Sequence, residues 1–168
     1  AGGEELLGRL ARRSPPRVRD AGEVGGGALV LLRHGESEFN AAGVFTGLLD
    51  VDVTERGREQ AALGARLLEA AGLAPERTWT SPMRRAAATT EILARELGLD
   101  PATVTPSWRL AERDYGSLTG VAKAEARERL GPEGYIAMRR TLEGSPGPVT
   151  EEQRAAWPAA PYVEEGSG

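Results

Sequence analysis

Five residues, Ala28-Leu29-Val30-Leu31-Leu32, form an unbroken apolar run that passes directly into Arg33-His34-Gly35-Glu36-Ser37. A continuous apolar stretch of this length, bounded by glycines on one side and a polar motif on the other, reads as a strand buried on both faces. Such a strand needs cover above and below, which points to a helix-covered sheet. It would deliver an arginine and a histidine to its carboxyl end, where Gly35 lets the backbone approach a phosphate closely. His34 is the one histidine in the chain. A nucleophilic imidazole beside a fixed positive charge is equipment for phosphoryl transfer.

The segments around this run follow the same rhythm. Residues 1–27 contain Pro15-Pro16 and Gly25-Gly26-Gly27 and are expected to form a flexible leader. Thr54 is placed to cap a helix with apolar positions Ala62, Leu63, Leu67 and Leu68, stopped by Gly72. Thr78-Trp79-Thr80 is a short β-prone stretch, and Ser81-Pro82 reads as a cap and first position of a second helix that ends at Gly98. A third extended piece, about Val104 to Leu110, leads to Glu112. Lys123 to Leu130 and Tyr135 to Leu142 read as two helices separated by Gly131-Pro132, the second stopped by Gly144. From Ser145 onward the chain is rich in Pro, Gly and Glu without an apolar period, so an irregular end is expected, the last 20 residues (149–168) forming a tail.

Composition narrows the function. A chain of 168 residues with 40% hydrophobic residues fits one packed domain. Its formal net charge of -4 argues against a general nucleic-acid or membrane-surface binder, since an acidic body gains nothing from a polyanion. The absence of cysteine removes thiol nucleophiles and cysteine metal sites, and one histidine makes a zinc or iron centre a poor reading, so no metal is expected. No stretch is long and apolar enough for a membrane span, and Glu4 and Glu5 stand where a signal peptide would be basic. A cytoplasmic protein is expected.

Four blocks, matching in order and spacing over about Ala28 to Pro148, resemble the cofactor-dependent phosphoglycerate mutases of the histidine phosphatase superfamily. The first is Arg33-His34-Gly35-Glu36-Ser37-Glu38-Phe39-Asn40. The resemblance implies that His34 is phosphorylated, that Arg33 holds the phosphate, and that Ser37 and Asn40 help to bind it. The second, Phe45-Thr46-Gly47 followed by Asp50-Val51-Asp52-Val53-Thr54, implies a substrate contact by Thr46 and Gly47; Leu48 replaces the family's tryptophan. The third, Ser81-Pro82-Met83-Arg84-Arg85-Ala86, makes Arg85 the second phosphate-binding arginine. A cation in the first turn of a helix is electrostatically ill placed, which favours a functional role for Arg85 and leaves Arg84 as a solvated charge.

The fourth block, Ser107-Trp108-Arg109-Leu110-Ala111-Glu112-Arg113-Asp114-Tyr115-Gly116, is close to the mutases and distant from most phosphatases of the superfamily. It implies that Glu112 is the general acid and base, a task that asks for partial protonation near neutral pH in a desolvated pocket. Asp114 stands where the mutases have histidine. Tyr115, the single lysine Lys123, and the pair Arg139-Arg140 fall where the family recognises the substrate's acid groups, a role suited to the guanidinium fork.

The resemblance implies a three-layer αβα fold with a mostly parallel sheet and the site at the carboxyl ends of its strands. It also implies 2,3-bisphosphoglycerate as phosphodonor, small phosphorylated sugar acids as substrates, and a homo-oligomer. The family's second active-site histidine, in a His-Gly-Asn motif on a later strand, has no counterpart here. That strand would pack between the one ending at His34 and the one before Ser81. Its absence is expected to leave open strand edges and unburied apolar helix faces, so residues 28–148 are read as an incomplete mutase-like domain. The expected activity is interconversion of 3-phosphoglycerate and 2-phosphoglycerate. A broad phosphomonoesterase and a catalytically silent phosphate-ester-binding module are the alternatives.

Overall fold

The computed structural model describes residues 28–141 and 144–156, so the expected leader lies outside the described residues, as does most of the tail. Helix α1 (Glu38–Ala41) opens on a capping box: Ser37 Oγ accepts from the Asn40 amide, and Asn40 Oδ1 accepts from the Ser37 amide. Helix α2 (Glu55–Ala70) starts as expected, with Thr54 Oγ1 accepting from the Gly57 amide, and ends at Gly72, whose φ of 65° suits a residue without a Cβ. Strand β1 (Thr78–Thr80) leads to helix α3 (Arg84–Leu97), which ends in a left-handed Gly98. Strand β2 (Val104–Pro106) pairs parallel with β1, Thr78 facing Val104 and Thr80 facing Pro106. Together β1, α3 and β2 make one βαβ unit, the element from which parallel sheets are built.

Helix α3 begins two residues later than the Ser81-Pro82 signal predicts. Ser81 Oγ accepts from the Met83 amide, and the first helical amide, Arg84 N–H, is capped instead by Asp50 Oδ1 at 2.7 Å. A carboxylate from 34 residues upstream therefore takes the place of a local cap. The expected extended piece Val104 to Leu110 is strand only to Pro106, followed by a turn of 3₁₀ helix at Trp108–Leu110.

Helices α2 and α3 pack against each other. Gly57, Ala61 and Ala65 are the buried positions of α2, whereas Leu67 remains exposed, so small residues form the packed face and not the leucine stripe. A second cluster joins Phe45, Leu118, Ala126 and Met138, with Tyr115, Val121 and Tyr135 against it. It seats helix α4 (Lys123–Arg140), which is broken at Gly131 (φ 67°, ψ 167°) as the Gly-Pro signal predicts. The second part of α4 runs to Arg140 and not to Leu142, which lies outside the described residues.

Two larger expectations also fail. Ala28 to Leu32 is not a buried strand: it forms no ladder, and Leu29 and Leu31 are 84% and 87% exposed. A strand is stabilised by its neighbours, and the two-stranded sheet of the described residues lies elsewhere. Trp79 on β1 is exposed as well. The expected irregular end instead contains helix α5 (Glu151–Ala156). Thr150 and Gln153 cap it reciprocally, and Gln153 Nε2 donates to the carbonyls of Ser117 and Thr119.

Candidate active site

The chain around His34 runs beside the Asp52–Thr54 segment. Glu38 N–H donates to Asp52 O and Thr54 N–H to Glu36 O, with Ser37 and Val53 forming an antiparallel bridge between them. Gly35 and Gly57 meet where this segment crosses the start of α2. A Cβ on Gly35 would run into the Gly57 carbonyl, and one on Gly57 into the Glu36 carbonyl. Glycine at both positions is what lets the histidine loop lie on the helix.

The imidazole is half-buried, and its Nδ1 lies 2.7 Å from the Gly35 carbonyl oxygen. A carbonyl only accepts, so Nδ1 carries the proton and Nε2 keeps a lone pair. Burial pushes the imidazole below its ordinary pKa of 6.5. The Gly35 carbonyl opposes that shift, the charges of Arg85 and Arg33 add to it, and the Glu112 carboxylate opposes it more weakly. The result is an imidazole that is neutral near neutral pH.

A cavity of about 400 Å³ opens beside it, lined by Arg33, His34, Glu36, Asn40, Gln60 and Lys123. Lys123 is half-buried, and burial, then Arg139 and Arg33, push its ammonium below the ordinary lysine value. Crowded cations of this kind gain most from an anionic ligand. The backbone of Lys123 is set by its amide, which donates to the Gly43 carbonyl beside the Val44 and Ala122 bridge.

Of the sequence-predicted residues, Arg33, His34, Asn40 and Lys123 share this cavity wall. Arg85 and Glu112 do not line it, although the charges of both act on His34. Arg85 is only 2% exposed. Its guanidinium donates to the carbonyls of Leu49 at 2.8 Å and Gly47 at 3.0 Å, so it also fixes the loop that contains Thr46 and Gly47. Arg84 is not merely solvated, since it pairs with Asp52 at 3.0 Å. Ser37 is fully buried in its capping role and does not reach the cavity wall. Thr46 and Gly47 are buried. Tyr115 packs against Phe45 with ring centroids 4.8 Å apart and planes tilted by 42°, and Arg139 lies 5.3 Å over the Tyr135 ring. Arg140 is exposed and stands apart from the cavity wall.

The desolvated pocket expected around Glu112 is not formed. Its side chain is exposed, and Oε1 accepts from the Arg113 amide at 2.9 Å. Sequence reasoning also missed two residues. Gln60 lines the cavity and accepts from the Glu36 amide at 2.8 Å, and Thr89 accepts from the Gly35 amide at 3.1 Å. Neither carries a local signal, since each contact spans more than 20 residues. Among the described residues no group of acidic or imidazole side chains is arranged to hold a metal ion, and no helix is long and apolar enough to cross a membrane.

The family model for the histidine phosphatase superfamily (branch 1) matches residues 29–156. A 2,3-bisphosphoglycerate-dependent phosphoglycerate mutase of Thermobifida fusca is 47% identical over 124 residues, which is 74% of this chain and 50% of that protein. The protein of the same name from Corynebacterium diphtheriae is 44% identical over 75% of this chain and 50% of its own length. The chain thus spans about half the length of the curated relatives it matches. Among solved structures, a mycobacterial glucosyl-3-phosphoglycerate phosphatase with VO3 superposes with a TM-score of 0.59 at 30% identity, over 68% of this chain and 52% of that one. A phosphoserine phosphatase of Entamoeba histolytica in complex with 3-phosphoglyceric acid gives a TM-score of 0.53 at 26% identity, over 70% of this chain and 54% of that one.

Proposed function

Because the chain belongs to the histidine phosphatase superfamily (branch 1), we propose that it is a phosphoglycerate mutase that interconverts 3-phosphoglycerate and 2-phosphoglycerate through a phosphohistidine on His34. The observation that carries this reading is the imidazole itself: its Nδ1 is tied to Gly35, its Nε2 lone pair is available, and its charged form is disfavoured by burial and by two arginines. The mutases of 40–47% identity support the choice of substrate class.

A phosphomonoester carries close to two negative charges, and its transfer needs in-line attack with the spreading charge met by fixed donors. Nε2 of His34 attacks phosphorus; the phosphorus–nitrogen bond forms as the bond to the leaving oxygen breaks, and that oxygen takes a proton, a step that the resemblance to the mutases gives to Glu112. In the reverse sense the Glu112 carboxylate removes the proton from the attacking hydroxyl. Arg33 and Lys123 on the cavity wall receive the phosphate charge, with Asn40 beside them, and Arg85 adds positive potential from within the fold. Tyr115, Arg139 and Arg140 are assigned to the acid groups of the sugar acid. The cationic wall suits 2,3-bisphosphoglycerate, which when bound supplies the phosphoryl group that primes His34. The reading carries a cytoplasmic setting and no metal.

Exposure of Glu112 favours a second reading, a phosphomonoesterase, because water can reach the phosphohistidine where no closed pocket excludes it. The phosphatases among the structural neighbours agree with it. Incubation with 2,3-bisphosphoglycerate followed by intact-mass measurement tests both. A gain of one phosphoryl group that disappears in His34→Gln is expected, and conversion of 3-phosphoglycerate to its isomer, not to inorganic phosphate, selects the mutase. Ligand binding without any mass gain would leave a silent binding module in place of either enzyme.

A further inference from the structure

Thr89 lies on the second turn of α3, four residues after Arg85, and is buried. Its hydroxyl bonds in both senses: Oγ1 donates to the Arg85 carbonyl at 2.7 Å and accepts from the Gly35 amide at 3.1 Å. The first bond is the ordinary back-bond of a helical threonine. The second spans 54 residues and ends on the amide of the residue that follows the histidine. From these contacts we infer that Thr89 is a positioning residue, which sets the placement of the His34 imidazole relative to the Arg85 guanidinium.

Two rigid supports converge on this point. Gly35 is held from one side by the Thr89 hydroxyl and from the other by its close crossing with Gly57 of α2, and α2 and α3 pack on each other. The Thr89 hydroxyl holds the His34–Gly35 peptide through its amide, while the Gly35 carbonyl that binds His34 Nδ1 belongs to the next peptide, whose Glu36 amide donates to Gln60 Oε1. Arg85 is fixed independently through the Gly47 and Leu49 carbonyls. The Thr89 hydroxyl bonds both the Gly35 amide and the Arg85 backbone carbonyl, and removing it leaves both groups in the molecule but deletes this direct tie between the histidine loop and α3.

His34 faces Arg85 of α3, Arg33 before it, Glu112 from the segment after β2, and Glu36 and Lys123 across the cavity. Burial and the two arginines hold its proton affinity down, so a loosened loop allows the imidazole to titrate nearer to 6.5. The chain has a single histidine, so its ring proton resonance reports that titration without assignment. This inference rests on the phosphoryl-transfer reading only for its rate arm.

The test compares wild type with Thr89→Val, which keeps shape and deletes the hydroxyl, and with Thr89→Ser, which keeps the hydroxyl. In Thr89→Val the titration midpoint is expected to move up toward 6.5 and phosphorylation by 2,3-bisphosphoglycerate to slow by about 10²-fold, as for a displaced reacting group. Thr89→Ser is expected to restore both. A folded Thr89→Val protein that titrates and reacts like wild type overturns the assignment. If Thr89→Val does not fold, hydrogen exchange of the Gly35 amide in wild type decides: protection supports the bond, and exchange at the rate of an open loop overturns it. Failure of wild type to accept a phosphoryl group would sink the proposed function, while the titration and the exchange would still settle the role of Thr89.

Discussion

On its carboxyl side His34 is followed by a chain held residue after residue: Gly35 by Thr89, Glu36 by Gln60 and Thr54, Ser37 by Asn40 and Glu38 by Asp52. On its amino side, Leu29 and Leu31 stand almost wholly in water. His34 is therefore positioned from one direction, by helix caps and a glycine crossing, and the sheet contributes nothing to it among the described residues. The contrast separates two sources of order. The caps of α1 and α2 arise from neighbouring residues and form wherever the sequence carries them, whereas an apolar strand depends on a paired neighbour and a covered face for its stability.

Three substitutions test that contrast in decreasing order of effect. Gly57→Ala places a methyl group against the Glu36 carbonyl and is expected to lower unfolding free energy by about 3 kcal/mol in urea titration. A near-neutral result would mean that the crossing does not hold the loop. Thr54→Ala removes the α2 cap and a bond to the Glu36 carboxylate at 3.0 Å, for a loss of about 1 kcal/mol in the same measurement. Leu31→Ser on the open side should change stability by less than about 0.5 kcal/mol, because the side chain has little burial to lose. A loss as large as that of Thr54→Ala would show that the amino side is packed after all.

The same division explains what was legible in the sequence. Thr54 with Gly72, Gly98 and the Gly131-Pro132 break each announce an element end through a local rule, and each is found where it is expected. The cap of α3 was misread because Asp50 competes from 34 residues away, and no spacing rule contains that contact. The strand at Ala28 to Leu32 was misread because its pattern describes a buried environment, not the neighbours that would create it. In the site, the block motifs led to Arg33, His34, Asn40 and Lys123, which share one cavity wall. Thr89 and Gln60 stayed hidden because their importance lies wholly in long-range contacts. Helix α5 does carry a local signal, since Thr150 and Gln153 have the spacing of a capping box within a stretch whose composition otherwise points to irregular chain.

The central claim is that His34 attacks through Nε2 because Nδ1 is held by Gly35. The direct measurement is nitrogen–phosphorus coupling in ¹⁵N-histidine-labelled protein after treatment with 2,3-bisphosphoglycerate. Coupling of phosphorus to Nε2 is the predicted result. A phosphoryl group on Nδ1, or no phosphohistidine signal, would contradict it.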